Sequence, residues 1–228
     1  FTGNTVALLS IKTEFSTLVP VYDISTDKSH LSIQTHHLMI KAVGDTLQFT
    51  EYMQLVNSST MAVSSGEDDG KGAGAVIEVK LPKNFKNFES QGYFEEKALV
   101  FTDDGFYDTM AVPPGEFQVV FTYSLDITSK TMDIVKSITL PTSKLVIFAE
   151  LGAAEIEGLG EGKSRAASAD GAEIGYYTIT DIPLGKEIAF QIAGLSPKVS
   201  KTPAWIILAG VFGAVMLLVL WRLRPGKG

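Results

Sequence analysis

Residues 46–55 read TLQFTEYMQL, and the alternation in this stretch decides the fold class. Leu47, Phe49, Met53 and Leu55 fall on one side of an extended chain, and Thr46, Gln48, Thr50 and Gln54 fall on the other, because successive side chains of a strand point to opposite faces. The same period-two pattern returns in Phe117, Val119, Phe121, Tyr123 and Leu125, and again in Leu145, Ile147, Ala149 and Leu151. Sustained helical periodicity is almost absent from this part of the chain. Strands with one apolar face belong to antiparallel sheets that cover a core on one side.

Turn signals separate the alternating stretches: Gly44-Asp45, Asp69-Gly70, Asp103-Asp104-Gly105, Pro113-Pro114-Gly115 and Asp170-Gly171. Many short strands at this spacing predict an all-β chain built from sandwiches. Thr128-Ser129-Lys130 is the most polar break. It divides the chain into an N-terminal β-sandwich domain over 1–129 and a second, smaller β-domain over 130–196, followed by a linker at 197–204, with Pro141 as the alternative boundary between the two domains. Two loops lack any apolar pattern, 64–74 (SSGEDDGKGAG) and 158–171.

Residues 205–221, WIILAGVFGAVMLLVLW, carry no charge and no strongly polar side chain. A helix of about 20 residues crosses the hydrocarbon layer of a bilayer, so this segment reads as one transmembrane helix. Trp205 and Trp221 stand at its two ends, where indole rings favour the headgroup level. Arg222 and Arg224 follow at once in a basic tail, 222–228, and place that tail on the cytoplasmic side by the positive-inside rule. Ala209, Gly210, Gly213 and Ala214 give the helix a small-residue face on which another helix can pack. The expected partners are therefore the lipid bilayer and other membrane subunits. The chain begins with Phe1 and shows no signal-peptide pattern, so either an N-terminal segment is removed or the product is longer.

Charge and cysteine content exclude several classes. Of 19 basic residues, three (Arg222, Arg224 and Lys227) lie in the tail, so residues 1–221 carry 16 against 26 acids, a net of −10. So acidic a body is a poor binder of nucleic acid. With 0 cysteines there are no disulfides, thiolate nucleophiles or cysteine-ligated metals.

The three histidines, His30, His36 and His37, cluster around THHLM at 35–39. On a strand His36 and His37 project to opposite faces and cannot chelate one ion together. They read as polar positions beside the apolar run Leu38, Met39 and Ile40. Asp103, Asp104 and Asp108 have a spacing faintly like a calcium loop but lack its terminal bidentate glutamate, and a β-turn explains them. The stretch EGLGEGKS at 157–164 approaches a phosphate-binding loop, yet Glu157 stands where glycine is required and no helix pattern follows. No G-x-S-x-G elbow occurs. No catalytic residue, cofactor or metal site is expected.

Three stretches, THHLMIKAVGDTLQFTEYMQLVNSST (35–60), IEVKLP (77–82) and DDGFYDTMAVPPGEFQVVFTYSL (103–125), resemble a group of bacterial exported proteins labelled carboxypeptidase-regulatory-like. The resemblance rests on the order of motifs and transfers no catalytic residue. It implies Ig-like or transthyretin-like sandwiches ending in one anchor in the bacterial inner membrane, with the β-domains in the periplasm or outside. It also implies a non-enzymatic accessory role, in some members beside cytochrome or photosynthetic electron-transfer systems, and often a further β-domain upstream. The alternative is an extracytoplasmic module that binds a cell-envelope glycan, a small molecule or calcium through the loops at 64–74 and 102–109. An envelope hydrolase built on carboxylates is a third reading.

Overall fold

The structure is a computed structural model, and it describes residues 19–66, 74–150, 154–159, 164–167 and 173–197. The segment 205–221 and its flanks lie outside the described residues, as do most of the two polar loops. Among the described residues no helix is long and apolar enough to cross a membrane.

Among the described residues fifteen strands carry the fold. They are β1 (Ile24–Ser25), β2 (Leu31–Val43), β3 (Thr46–Asn57), β4 (Ala62–Val63), β5 (Ile77–Lys80), β6 (Lys86–Gly92), β7 (Leu99–Thr102), β8 (Gly105–Asp108), β9 (Gly115–Asp126), β10 (Thr131–Ser137), β11 (Thr142–Glu150), β12 (Glu155–Glu157), β13 (Ser164–Ala167), β14 (Glu173–Ile182) and β15 (Glu187–Ala193). A seven-stranded sheet runs in the order β13-β14-β11-β2-β3-β9-β6, and two three-stranded sheets, β10-β15-β12 and β5-β8-β7, accompany it. The described part of the chain is all-β, as the alternation predicts.

Strand β3 shows why the sheet forms. Its residues alternate strictly between buried and part-buried or exposed positions, with Leu47, Phe49, Met53 and Leu55 inside. The turn at Gly44-Asp45 folds β2 back onto β3 over twelve residue pairs, and β9 completes the triplet from the other side. Gly44 has φ 59°, a left-handed conformation that glycine adopts without strain.

Beside a two-stranded sheet, β1-β4, the inner faces of the three larger sheets meet in one core cluster that includes Leu38, Phe49, Phe121 and Ile147 of the large sheet. Opposite them lie Val79 and Phe106 of one small sheet and Ile134, Phe190 and Ile192 of the other. Phe106 meets Phe121 edge-on at 5.5 Å and Phe88 at 4.9 Å, a contact favoured by ring quadrupoles. The arrangement is a two-layer sandwich with the small sheets together forming the second layer.

The break at 128–130 is the connection from β9 to β10. Strands from both sides of it share the large sheet, because β11 pairs in parallel with β2 through partners such as Ile147 and Leu38. Chain order explains this. After β9, β10 crosses into the second layer, and β11 returns to the large sheet, where the Ile33 amide donates to the Pro141 carbonyl at 2.8 Å.

Candidate functional site

The chemistry-bearing groups gather inside the sandwich, on positions where strand phase would otherwise place apolar residues. Glu51 occupies an inward position of β3 between Phe49 and Met53 and is 0% exposed. His36 is inward on β2, directly opposite Met53 in the register, and is 2% exposed. Tyr123 is inward on β9, beside Phe49. From the facing layer β10 contributes Lys136, which alternation turns inward next to Ile134.

The other three side chains converge on the Glu51 carboxylate. Lys136 Nζ donates to Oε1 at 2.8 Å and to Oε2 at 2.6 Å. The Tyr123 hydroxyl donates to Oε1 at 3.0 Å, and His36 Nε2 lies 2.7 Å from Oε2. Tyr123 is held in place by stacking on Phe49, with ring centroids 4.8 Å apart.

Electrostatics follow from burial and pairing. Desolvation pushes the Glu51 carboxyl upward, but the Lys136 charge and the His36 hydrogen bond outweigh it and hold the group down to about 2. Burial pushes the His36 imidazole below its ordinary value, and the bond to Glu51 does not restore it. A neutral His36 facing an ionised carboxylate must carry its proton on Nε2 and donate it. Its Nδ1 meets no hydrogen-bond partner. Protonating that nitrogen would bury an unpaired N–H, which agrees with the downward shift. Burial, followed by the Glu51 charge, raises Tyr123 well above the usual phenol range.

His37 lies on the other side of the sheet. It packs against Tyr52 at 5.6 Å and edge-on against Phe148 at 5.4 Å. Phe148 in turn lies 6.1 Å from Tyr176. With Met39, which is 41% exposed, these residues form a half-buried apolar patch on the outer face. A cleft of about 460 Å³ is lined there by His37, Met39, Thr50 and Phe148, with Lys41 and Glu150 paired at its rim at 3.0 Å.

The aspartates singled out in the sequence do not converge. Asp103 and Asp104 make the two-residue turn between β7 and β8. Asp104 binds Lys80 Nζ and the Thr102 hydroxyl, both at 3.0 Å. Asp108 lies at the far end of β8, fully buried, with Oδ1 accepting from the Met110 amide at 2.9 Å and Oδ2 unpaired. Among the described residues no group of three or more histidine, aspartate or glutamate side chains is arranged to hold a metal ion. Ala209, Gly210, Gly213, Ala214, Trp205, Trp221, Arg222 and Arg224 lie outside the described residues.

Sequence reasoning missed Glu51 and Lys136. The signal was available in TLQFTEYMQL, where Glu51 holds the same phase as Phe49 and Met53. An acid at an inward phase requires a buried partner. Lys136, between Ile134 and Ile138 in a second strand, is the matching cation.

No protein family matches the chain, and no curated protein matches it. Among solved structures, a zinc metallopeptidase of the M1 type from Deinococcus radiodurans bound to a Tyr-Ser-Ala substrate shares 10% identity at a TM-score of 0.43. It is covered over 42% of its length by 72% of this chain. A proposed protease from Parabacteroides distasonis shares 10% identity at a TM-score of 0.42, with 72% of this chain covering 40% of that one. The chain thus spans about two fifths of those structures, and a likeness this shallow carries no conclusion about its chemistry.

Proposed function

We propose that the chain is a non-enzymatic accessory subunit of a membrane protein complex, held by the apolar segment 205–221 with its β-sandwich on the extracytoplasmic side. The observation that carries this reading is the distribution of its side chains. The polar cluster around Glu51 is sealed inside the core, whereas the outer sheet face presents the patch of His37, Met39, Tyr52 and Phe148. Half-buried aromatic and methionine side chains around a cleft suit contact with another protein. The resemblance to anchored carboxypeptidase-regulatory-like proteins and the acidic body agree with this role. A bioenergetic assembly, cytochrome or photosynthetic, is the complex that the same resemblance favours.

Topology is directly testable because the chain has 0 cysteines. Val135→Cys, at a position 44% exposed, and Gly226→Cys in the tail supply single thiols. A membrane-impermeant maleimide added to intact cells labels the first and not the second. Labelling of the tail from outside, or recovery of the chain without membranes, contradicts the reading.

A second reading, an extracytoplasmic ligand-binding module, is favoured by one cleft of about 690 Å³ between the two small sheets. Glu78, Lys80, Asp104, Asp133 and Glu187 line it. Calorimetric titration with calcium and with envelope glycan fragments decides: heat abolished by Asp104→Ala supports this reading, and no heat removes it.

A further inference from the structure

An ion pair that serves only to join two layers needs a cation and an anion. The core of this sandwich holds more: a primary amine against a carboxyl group, two further donors on that carboxyl group's oxygens, and walls that exclude water. We propose that Lys136 and Glu51 condense to an intramolecular amide that links β10 of the second layer to β3 of the large sheet.

The geometry is that of a reacting pair. Nζ lies 2.6 and 2.8 Å from the two oxygens, so amine and carboxyl group are already in contact, and a rotation of the carboxyl plane brings Nζ over its face for attack. Packing holds both partners there, with side-chain exposures of 5% and 0%. Lys136 and His36 hold Glu51 ionised, so the reacting form, amine plus acid, is reached by transfer of one proton from Nζ to the carboxylate along the existing hydrogen bond, at a cost that burial of the pair reduces. The freed amine attacks the carboxyl carbon. Oxygen charge that develops there meets the Tyr123 O–H and the His36 Nε2–H, which already point at the two oxygens. The proton already passed from Nζ and a second one lost by the nitrogen after attack leave with the departing oxygen, while the Tyr123 O–H and the His36 Nε2–H keep their hydrogen bonds to the carboxyl oxygens.

The step balances without an oxidant or a cofactor. The C–N bond forms, one C–O bond breaks, the nitrogen gives up two protons, and these leave with the oxygen as water. Two buried charges disappear in the product, which removes the desolvation cost that the ion pair carries. The partners lie 85 residues apart, so the link closes a long loop and restrains the unfolded chain as a disulfide does. A chain with 0 cysteines can make no disulfide.

The test is the intact mass of the purified full chain in detergent, with circular dichroism confirming that it is folded. The expected mass is lower than the sequence mass by one water, and proteolysis releases a branched peptide joining the segments around Glu51 and Lys136. Lys136→Met returns the mass to that of its sequence. Glu51→Gln loses ammonia in place of water. Tyr123→Phe, which keeps the ring stack, lowers the linked fraction several-fold at early times after synthesis. Should a variant fail to fold, the branched peptide of the unmodified chain still decides. A folded chain with the full sequence mass overturns the proposal. So does a water lost elsewhere, as in a succinimide at Asp104-Gly105, which would leave both segments as linear peptides.

Discussion

Lys136 and Glu51 face each other across the gap between the two layers, with Nζ 2.6 and 2.8 Å from the carboxylate oxygens. Both residues are buried, and the same carboxylate also accepts from Tyr123 at 3.0 Å and meets His36 Nε2 at 2.7 Å. Either Glu51→Leu or Lys136→Met alone leaves a buried group stripped of its partner, a loss of about 3 to 5 kcal/mol. The double variant replaces both by apolar groups and is more stable than either single variant. Urea unfolding of the three proteins measures the coupling, and strict additivity of the two losses would contradict it.

Asp108 sets a pH dependence with an unusual sign. Burial, with a small contribution from Glu95, pushes its carboxyl up to about 6, although the Met110 and Thr109 amides act in the opposite direction. The folded chain therefore keeps a proton that the unfolded chain releases near 3.8. The stability contributed is complete below that value and is lost as pH rises through about 6, on the order of 2 to 3 kcal/mol. His36 acts oppositely: its lowered value means stability is lost as pH falls below the ordinary histidine range. The difference between the native chain and Asp108→Asn isolates the aspartate. That difference shifts in favour of Asp108→Asn between pH 4 and pH 7, and a flat difference would count against the assignment.

Asn57 ties the end of β3 to the next turn. Its buried amide donates to the Met61 carbonyl at 2.9 Å and to the Val112 carbonyl at 2.8 Å, and its Oδ1 accepts from Ser59. Asn57→Ala removes both of these bonds and the acceptor for Ser59, although the Met61 carbonyl keeps the Ser59 hydroxyl and the Val112 carbonyl keeps the Val63 amide, and costs about 2 kcal/mol in thermal or urea unfolding. Asn57→Asp loses at least as much, because the carboxylate replaces the donor with charge.

Gly105 begins β8 at φ 146°, and a Cβ there would lie 2.0 Å from the Val79 carbonyl oxygen. Gly105→Ala must push β8 away from β5, with a loss on the order of 3 kcal/mol. Hydrogen exchange checks it locally: amides of β5 and β8 lose protection before those of β2 and β3.

Much of the architecture is legible in the chain because a strand exposes its phase. Leu47, Phe49, Met53 and Leu55 announce the inner face of β3, and Phe117 to Leu125 announce that of β9. Pairing is less legible. Nothing local in Thr142–Glu150 says that it will lie parallel to Leu31–Val43 across more than a hundred residues, since parallel partners are chosen by the core as a whole. The site was half legible. Opposite faces for His36 and His37 follow from the alternation, but treating THHLM as decoration overlooked that the inward histidine needs a partner, which Glu51 supplies. Asp103, Asp104 and Asp108 share a motif in sequence, yet the four-residue β8 carries Asp108 away from the turn and into the core.

The measurement that bears most directly on the accessory-subunit reading is native purification of the full chain from its own membranes in mild detergent, followed by mass spectrometry. The account predicts that integral membrane subunits accompany it in fixed stoichiometry, and that Met39→Glu and Phe148→Glu on the outer sheet face release them while the fold stays intact. A monomer free of any companion, with both substitutions silent, would contradict it.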